Sequence, residues 1–268
     1  MKNSNYLFIV FSLLTLVACN GIESNFASPT KNGGYSQRNI PPKALIYNGE
    51  ATAYGDVEAI TDILSNHQIE YQVVDSDEMN SLTLEEMQGY ATFIWPGGYA
   101  GQMSQSLSNQ TRQRIRKAVR EAGVSYVGIC AGAFLAVTPN TSWGFSLIEG
   151  ELLPYYHLED EGVESAMVKI ILPETSSQTK SQDMVWWGGP SLPEVPKGVL
   201  GRYSDTNEPA ITEGMAGKGL VILSAIHPEA PDEWRYRLGL DDQDGSDQDY
   251  AWTLFEAGLL HQPLPTLN

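Results

Sequence analysis

Gly128-Ile129-Cys130-Ala131-Gly132 sets a cysteine between two glycines, each two residues away. An apolar run over residues 124–129 leads into it and small residues follow, the pattern of a strand turning sharply into a helix. Such a turn crowds its apex, and glycine on either side removes the clashing side chains. The apex side chain then stands free at the carboxyl end of the strand, as in a nucleophile elbow, here with cysteine in place of serine. The following helix directs its N-terminal dipole at the sulfur and favours the thiolate, so the chemistry on offer is nucleophilic attack. A free cysteine packed in a core is the competing reading of the same spacing.

Ser224-Ala225-Ile226-His227-Pro228-Glu229 closes a second apolar run, residues 219–224, at the kind of strand end where an open parallel sheet places its ligands. Pro228 keeps His227 extended, and in extended chain residues i and i+2 project to one side. Glu229 can thus hold the imidazole while its other ring nitrogen faces the thiol; a solvated loop histidine is the plainer alternative. Trp95-Pro96-Gly97-Gly98 ends a third run in glycine backbone able to aim N–H groups at an oxyanion, although most Gly-Gly pairs are simply turns. Gly97 and Tyr99 beside that turn, with Tyr155 and Trp187 from two aromatic pairs, are candidates for a substrate pocket, or for packing. His157 is a rival histidine without a strand-end context.

The elements that must position these residues alternate. Strands are expected at 44–47, 71–74, 92–95, 124–129 and 219–224, with helices at 56–65, 109–122 and 247–260. Strand-helix alternation argues for an α/β fold: a flavodoxin-like three-layer sandwich around a mostly parallel sheet. Residues 141–212 break the pattern with short β-like pieces at 168–172 and 184–187, which suits an inserted antiparallel β region. The helix at 109–122 concentrates Arg112, Arg114, Arg116, Lys117 and Arg120, expected as a solvated basic face.

The chain has 268 residues, 42% hydrophobic and 18% charged, the composition of a globular protein. Its formal charge of -17 would be repelled by phosphate backbones, so no nucleic-acid partner is expected. Two cysteines, Cys19 and Cys130, allow neither a disulfide framework nor a thiolate zinc cluster. The acidic run 241–249 lacks EF-hand spacing, and Ser246 with Asp249 three residues on suits a helix N-cap, so no metal and no cofactor are expected.

Residues 1–18 have one lysine, a twelve-residue apolar stretch and Leu16-Val17-Ala18 before Cys19. The stretch is too short to span a bilayer and reads as a secretory signal. Cut by ordinary signal peptidase, it would leave Cys19 incidental; cysteine at that position instead resembles the bacterial lipobox, which implies a lipidated (palmitate-type) Cys19 and a membrane-anchored envelope lipoprotein facing the periplasm or exterior. The polar, aperiodic composition that follows reads as a flexible tether over 19–42. The folded domain is expected over 43–262, with a short tail at 263–268.

Taken together, Leu45-Ile46-Tyr47-Asn48-Gly49, Trp95-Pro96-Gly97-Gly98-Tyr99, Tyr126 to Ala133, Trp187-Gly188-Gly189-Pro190 and His227-Pro228-Glu229 resemble the class I glutamine amidotransferase-like superfamily. Within it, the chain is most similar to the domain at the N-terminus of biotin-protein ligases. The resemblance implies Cys130 as nucleophile, His227 as proton carrier, Glu229 as its orienting partner, and the amides of Gly98 and Ala131 as the oxyanion hole. It implies hydrolysis of a small amide or γ-glutamyl-like C–N bond through an acyl-enzyme; a ligand-binding module without turnover is the alternative on the same fold. No synthetase or ligase motif accompanies these segments, so any use of released ammonia would need a separate protein partner.

Overall fold

Among the described residues each expected strand is present, and the strands reading apolar without a break end up buried on both faces. The computed structural model describes residues 42–173 and 180–267. The expected signal segment, the lipidation candidate Cys19 and the tether as far as residue 41 lie outside the described residues. In chain order the first elements are β1 (Lys43–Tyr47), α1 (Asp56–Asn66), β2 (Glu70–Val74), α2 (Ser76–Ser81), α3 (Leu84–Met87), β3 (Thr92–Trp95), α4 (Ala100–Ser106), α5 (Asn109–Arg120), β4 (Ser125–Ile129) and α6 (Ala131–Ala136). They continue as α7 (His157–Asp160), β5 (Ala166–Leu172), β6 (Lys180–Trp186), β7 (Val199–Tyr203), β8 (Pro209–Ala216), β9 (Gly219–Ser224), α8 (Asp232–Leu238) and α9 (Gln248–Leu260).

The nine strands form one sheet in the order β2-β1-β3-β4-β9-β8-β7-β5-β6. The first five run parallel and the remainder pair antiparallel. β3, β4 and β9 are buried at every position, as central parallel strands covered on both sides must be. The expected antiparallel insertion is present between β4 and β9 in the chain. It builds no separate layer, because β8 pairs with β9 and carries the same sheet onward.

Neighbouring residues of β4 show the layering. Tyr126 sends its hydroxyl to the Gly132 carbonyl of α6 at 2.8 Å, while Val127 faces Gly258 of α9, where an added Cβ would stand 2.8 Å from Val127 Cγ2. Successive strand residues point to opposite faces, so α6 and α9 cover opposite sides. The α6 face is filled by aromatics: Tyr47 stacks on Trp95 at 4.3 Å and Phe145 meets Trp95 edge-on at 4.6 Å. Each such pair adds roughly 0.5–1.5 kcal/mol to the burial itself.

Two local expectations are corrected. The basic face of α5 is not simply solvated: Arg112 is buried and its guanidinium donates to the carbonyls of Thr141 (2.8 Å), Ser104 (2.7 Å), Leu107 (2.5 Å) and Ser142 (3.0 Å). Arg114 and Arg120 likewise donate to the carbonyls of Asn80 and Leu147. A five-donor fork matches converging carbonyls, and a hydrophobic stripe on one helix face carries no information about carbonyls arriving from other loops. At the start of α9 the N-cap is Asp247, not Ser246. Asp247 makes no capping bond because its carboxylate is drawn to Arg235 Nη2 at 2.8 Å, with Asp242 on the same guanidinium. The acidic run thus serves a buried arginine. Beyond α9, residues 263–267 lie along the sheet, with Leu264 N–H donating to both Glu213 oxygens at 3.1 Å and Leu267 N–H to the Val199 carbonyl at 2.8 Å.

Candidate active site

The parallel strands bring the three separated motifs to one edge. β3, β4 and β9 are neighbours, so residues following Trp95, Ile129 and Ser224 share the carboxyl rim of the sheet.

Cys130 links β4 to α6 with φ 46° and ψ −100°. This is a left-handed conformation that costs a non-glycine residue on the order of 1–3 kcal/mol and persists only where the surroundings enforce it. Here Cys130 N–H donates to the Ser224 carbonyl of β9 at 2.7 Å. The flanking glycines are required by close approach: a Cβ on Gly128 would stand 2.8 Å from the Gly132 carbonyl, and one on Gly132 2.5 Å from the Trp95 carbonyl. The sulfur is mostly buried and lies 3.6 Å from the Trp187 carbonyl.

His227 is held by backbone and side chain alike. Its N–H donates to the Val185 carbonyl of β6 at 2.8 Å, so the antiparallel half of the sheet sets its place. Its Nδ1 lies 2.7 Å from Glu229 Oε1, both residues buried. Cys130 acts electrostatically on its ring, and Trp234 of α8 packs edge-on at 5.2 Å. Burial works against the imidazolium, but the neighbouring Cys130 and Asp56 outweigh it and the pKa is raised. Burial raises the Glu229 carboxyl, while Asp56 and the charge of Arg235 work the other way.

The amides of Gly98 and Ala131 face no acceptor from the described residues. Gly98 has φ +137°, and a Cβ there would run into the Ala51 carbonyl and lie 2.8 Å from Met103 Cε. Gly97, a pocket candidate, instead packs against the His227 imidazole, and its N–H is taken by Asp56 Oδ2 at 2.6 Å. Tyr99 (72% exposed), Tyr155 (55%) and Trp187 (40%) are open to solvent. Tyr155 leans on Phe134 of α6 at 5.0 Å, and burial, followed by the charges of Glu159 and Cys130, raises its phenol. Trp187 meets Trp234 edge-on at 5.0 Å. His157 stands apart, half-buried and between Glu161 (2.9 Å) and Asp205 (3.2 Å).

Asp56 and Trp234 belong to this site and escaped the sequence reading. Asp56 is fully buried at the first turn of α1, and its carboxyl, with His227 and Glu229, places three O or N atoms within 4.8 Å of one another. A signal existed: Asp56 falls on the apolar stripe of Ile60, Ile63 and Leu64, where a solvated acid has no place. Nothing in the local sequence around Trp234 announces its contact with His227.

Residues 42–142 match the family model described as biotin-protein ligase, N terminal. Among solved structures, the chain is similar to PurLQS from Thermotoga maritima, with a TM-score of 0.52 and 15% identity over 83% of this chain and 99% of that one. It is also similar to a ThuA-like protein from Bacteroides uniformis, with a TM-score of 0.51 and 12% identity over 84% of this chain and 94% of that one. No curated protein matches the chain in sequence. The α/β architecture, a nine-stranded sheet running parallel and then antiparallel, is that of the class I glutamine amidotransferase-like fold.

Proposed function

From this glutamine amidotransferase-like fold and the biotin-protein ligase N-terminal match, we propose that the chain is a cysteine-nucleophile hydrolase of a small amide or γ-glutamyl-like C–N bond. The observation that carries the reading is the strained Cys130 elbow beside an imidazole that it influences electrostatically and that is held 2.7 Å from Glu229. Cys130 passes its proton to His227, and the sulfur attacks the amide carbon. The carbonyl oxygen takes up the negative charge beside the Gly98 and Ala131 amides. Collapse breaks the C–N bond as His227 returns the proton to the departing nitrogen, leaving a thioester. Water, giving a proton to His227, attacks the thioester carbon, releases the acid and restores the thiol. Glu229 accepts from Nδ1–H throughout and keeps Nε2 turned to the sulfur. Tyr99, Tyr155 and Trp187 offer exposed aromatic surface to a small substrate at this mouth.

The test is to incubate the protein with glutamine and a panel of γ-glutamyl amides and to weigh it intact. An acyl adduct on Cys130, absent in Cys130→Ala, is the expected result. Iodoacetamide alkylating Cys130 no faster than a simple peptide thiol, with no adduct from any amide, would leave a ligand-binding module as the better reading.

We further propose that the domain is tethered to a bacterial envelope membrane through acylated Cys19. The support is the lipobox-like Leu16-Val17-Ala18-Cys19 behind an apolar stretch. Among the described residues no helix is long and apolar enough to cross a membrane. Cys19→Ala should release the protein from the membrane fraction or stop its processing, and a free Cys19 thiol in the wild-type protein would overturn the proposal.

A further inference from the structure

Behind the His227–Glu229 pair lies a second carboxyl that the proposed mechanism leaves unused. Asp56 is fully buried, and one of its oxygens, Oδ2, accepts from the Gly97 N–H at 2.6 Å. One of its carboxylate oxygens lies within 4.8 Å of one of Glu229. Each of the two acids nevertheless keeps one buried oxygen, Asp56 Oδ1 and Glu229 Oε2, that no N–H or O–H group of the described residues reaches. Two orphaned acceptors side by side in a dry site are costly, and two adjacent buried carboxylates cannot both hold their charge. A single proton between them removes both difficulties.

We infer that Asp56 is a neutral, protonated positioning residue: it donates its O–H to Glu229 and accepts from Gly97, tying the glutamate behind His227 to the backbone turn that carries the Gly98 amide. The proton belongs on Asp56, because Glu229 also faces the Nδ1 side of His227 at 2.7 Å and is the better placed of the two to stay an anion. Arg235 of α8 adds to that bias from beyond Glu229, and Asp247 at the start of α9 opposes it; His227 and Cys130 complete the charged or titratable groups around the pair. Burial and the charge of Glu229 both raise the Asp56 pKa well above the carboxylate range. The arrangement makes one side chain answer for two parts of the site: the acid that steadies the base, and the turn that presents an oxyanion donor. A side chain with one acceptor and one donor is all it requires, which is why asparagine should serve.

This inference rests on the cysteine-hydrolase reading only for its kinetic consequence, so the test has two arms. The first is infrared spectroscopy of the inactive Cys130→Ala protein at neutral pH. It should show a deuterium-sensitive carbonyl band of a protonated carboxylic acid that disappears in Cys130→Ala/Asp56→Asn. The second is iodoacetamide alkylation of Cys130 at pH 7 in folded protein. Asp56→Leu should slow it on the order of 10-fold or more, with Asp56→Asn recovering most of the rate. Equal loss in the leucine and asparagine variants, or an infrared spectrum unchanged by Asp56→Asn, would overturn the proposal. Should Asp56→Leu fail to fold, the infrared arm decides alone. A protonated Asp56 in a protein whose Cys130 is unreactive would sink the hydrolase and leave the shared proton standing.

Discussion

Gly97 and His227 occupy complementary space: a Cβ on the glycine would overlap the imidazole at Cε1. The glycine that reads as part of an oxyanion turn is therefore fixed first by the ring packed on it. The same Cβ would also come 3.0 Å from Asp56 Oδ2.

Gly97→Ala should accordingly displace the imidazole rather than merely narrow a pocket. Overpacking of this kind costs roughly 1–3 kcal/mol. Thermal unfolding should register that loss, and Cys130 alkylation at pH 7 should slow in step with it. An alanine variant with wild-type alkylation would show that the ring is not confined as described.

His227→Asn should slow alkylation of Cys130 at neutral pH by on the order of 10²-fold, since the sulfur loses its proton acceptor. Glu229→Gln should fall between this variant and the wild type, because the glutamate orients the ring without entering the bond-making step. Combining the two should cost little more than His227→Asn alone, as for groups acting as a unit. Alkylation rates with intact-mass detection measure all three.

Glu213 offers a stability test away from the site. Burial raises its pKa from 4.5 to about 7, although Leu264 N–H works the other way. An acid with a raised folded-state pKa binds its proton more tightly folded than unfolded. Its contribution is thus fully present below about 4.5 and is lost as pH rises through about 7. Glu213→Gln keeps an acceptor for Leu264 and removes the ionisation. It should stabilise the protein at pH 8 by on the order of 2 kcal/mol and have little effect at pH 4. Urea unfolding at the two pH values would show it, and an equal effect at both would contradict the assignment.

Arg112→Ala should destabilise the fold by roughly 2–4 kcal/mol, because four carbonyls lose their donor at once. Arg112→Lys should recover only part of this, since a single ammonium cannot span the same fork. A change within experimental error for the alanine variant would return this side chain to the solvated face expected of it.

Much about the protein was determined by local sequence alone. The glycines at 128 and 132 announce a turn in which the chain passes too close to itself for side chains, and Cys130 sits at its apex with φ 46°. Pro228 marks the His227-Glu229 pair, but the expected extended dipeptide is closed into a turn, Ala230 N–H donating to the His227 carbonyl at 3.1 Å, and the 2.7 Å contact forms across that turn. Unbroken apolar runs report burial on both faces, so the parallel half of the sheet was legible strand by strand. What only the tertiary structure decided involves partners brought together by closure of the chain. The meeting of Val185 with His227, the guanidinium of Arg112 filling a cup of carbonyls, and the continuation of the sheet from β9 into β8 all join residues distant in sequence. Asp56 shows the reason most clearly. Its place on an apolar stripe could reveal that it was buried, but the identity of its neighbours, Gly97 at the end of β3 and Glu229 beyond β9, depends on which strands lie side by side. Periodicity records how far a residue is removed from water; it does not record what it meets there.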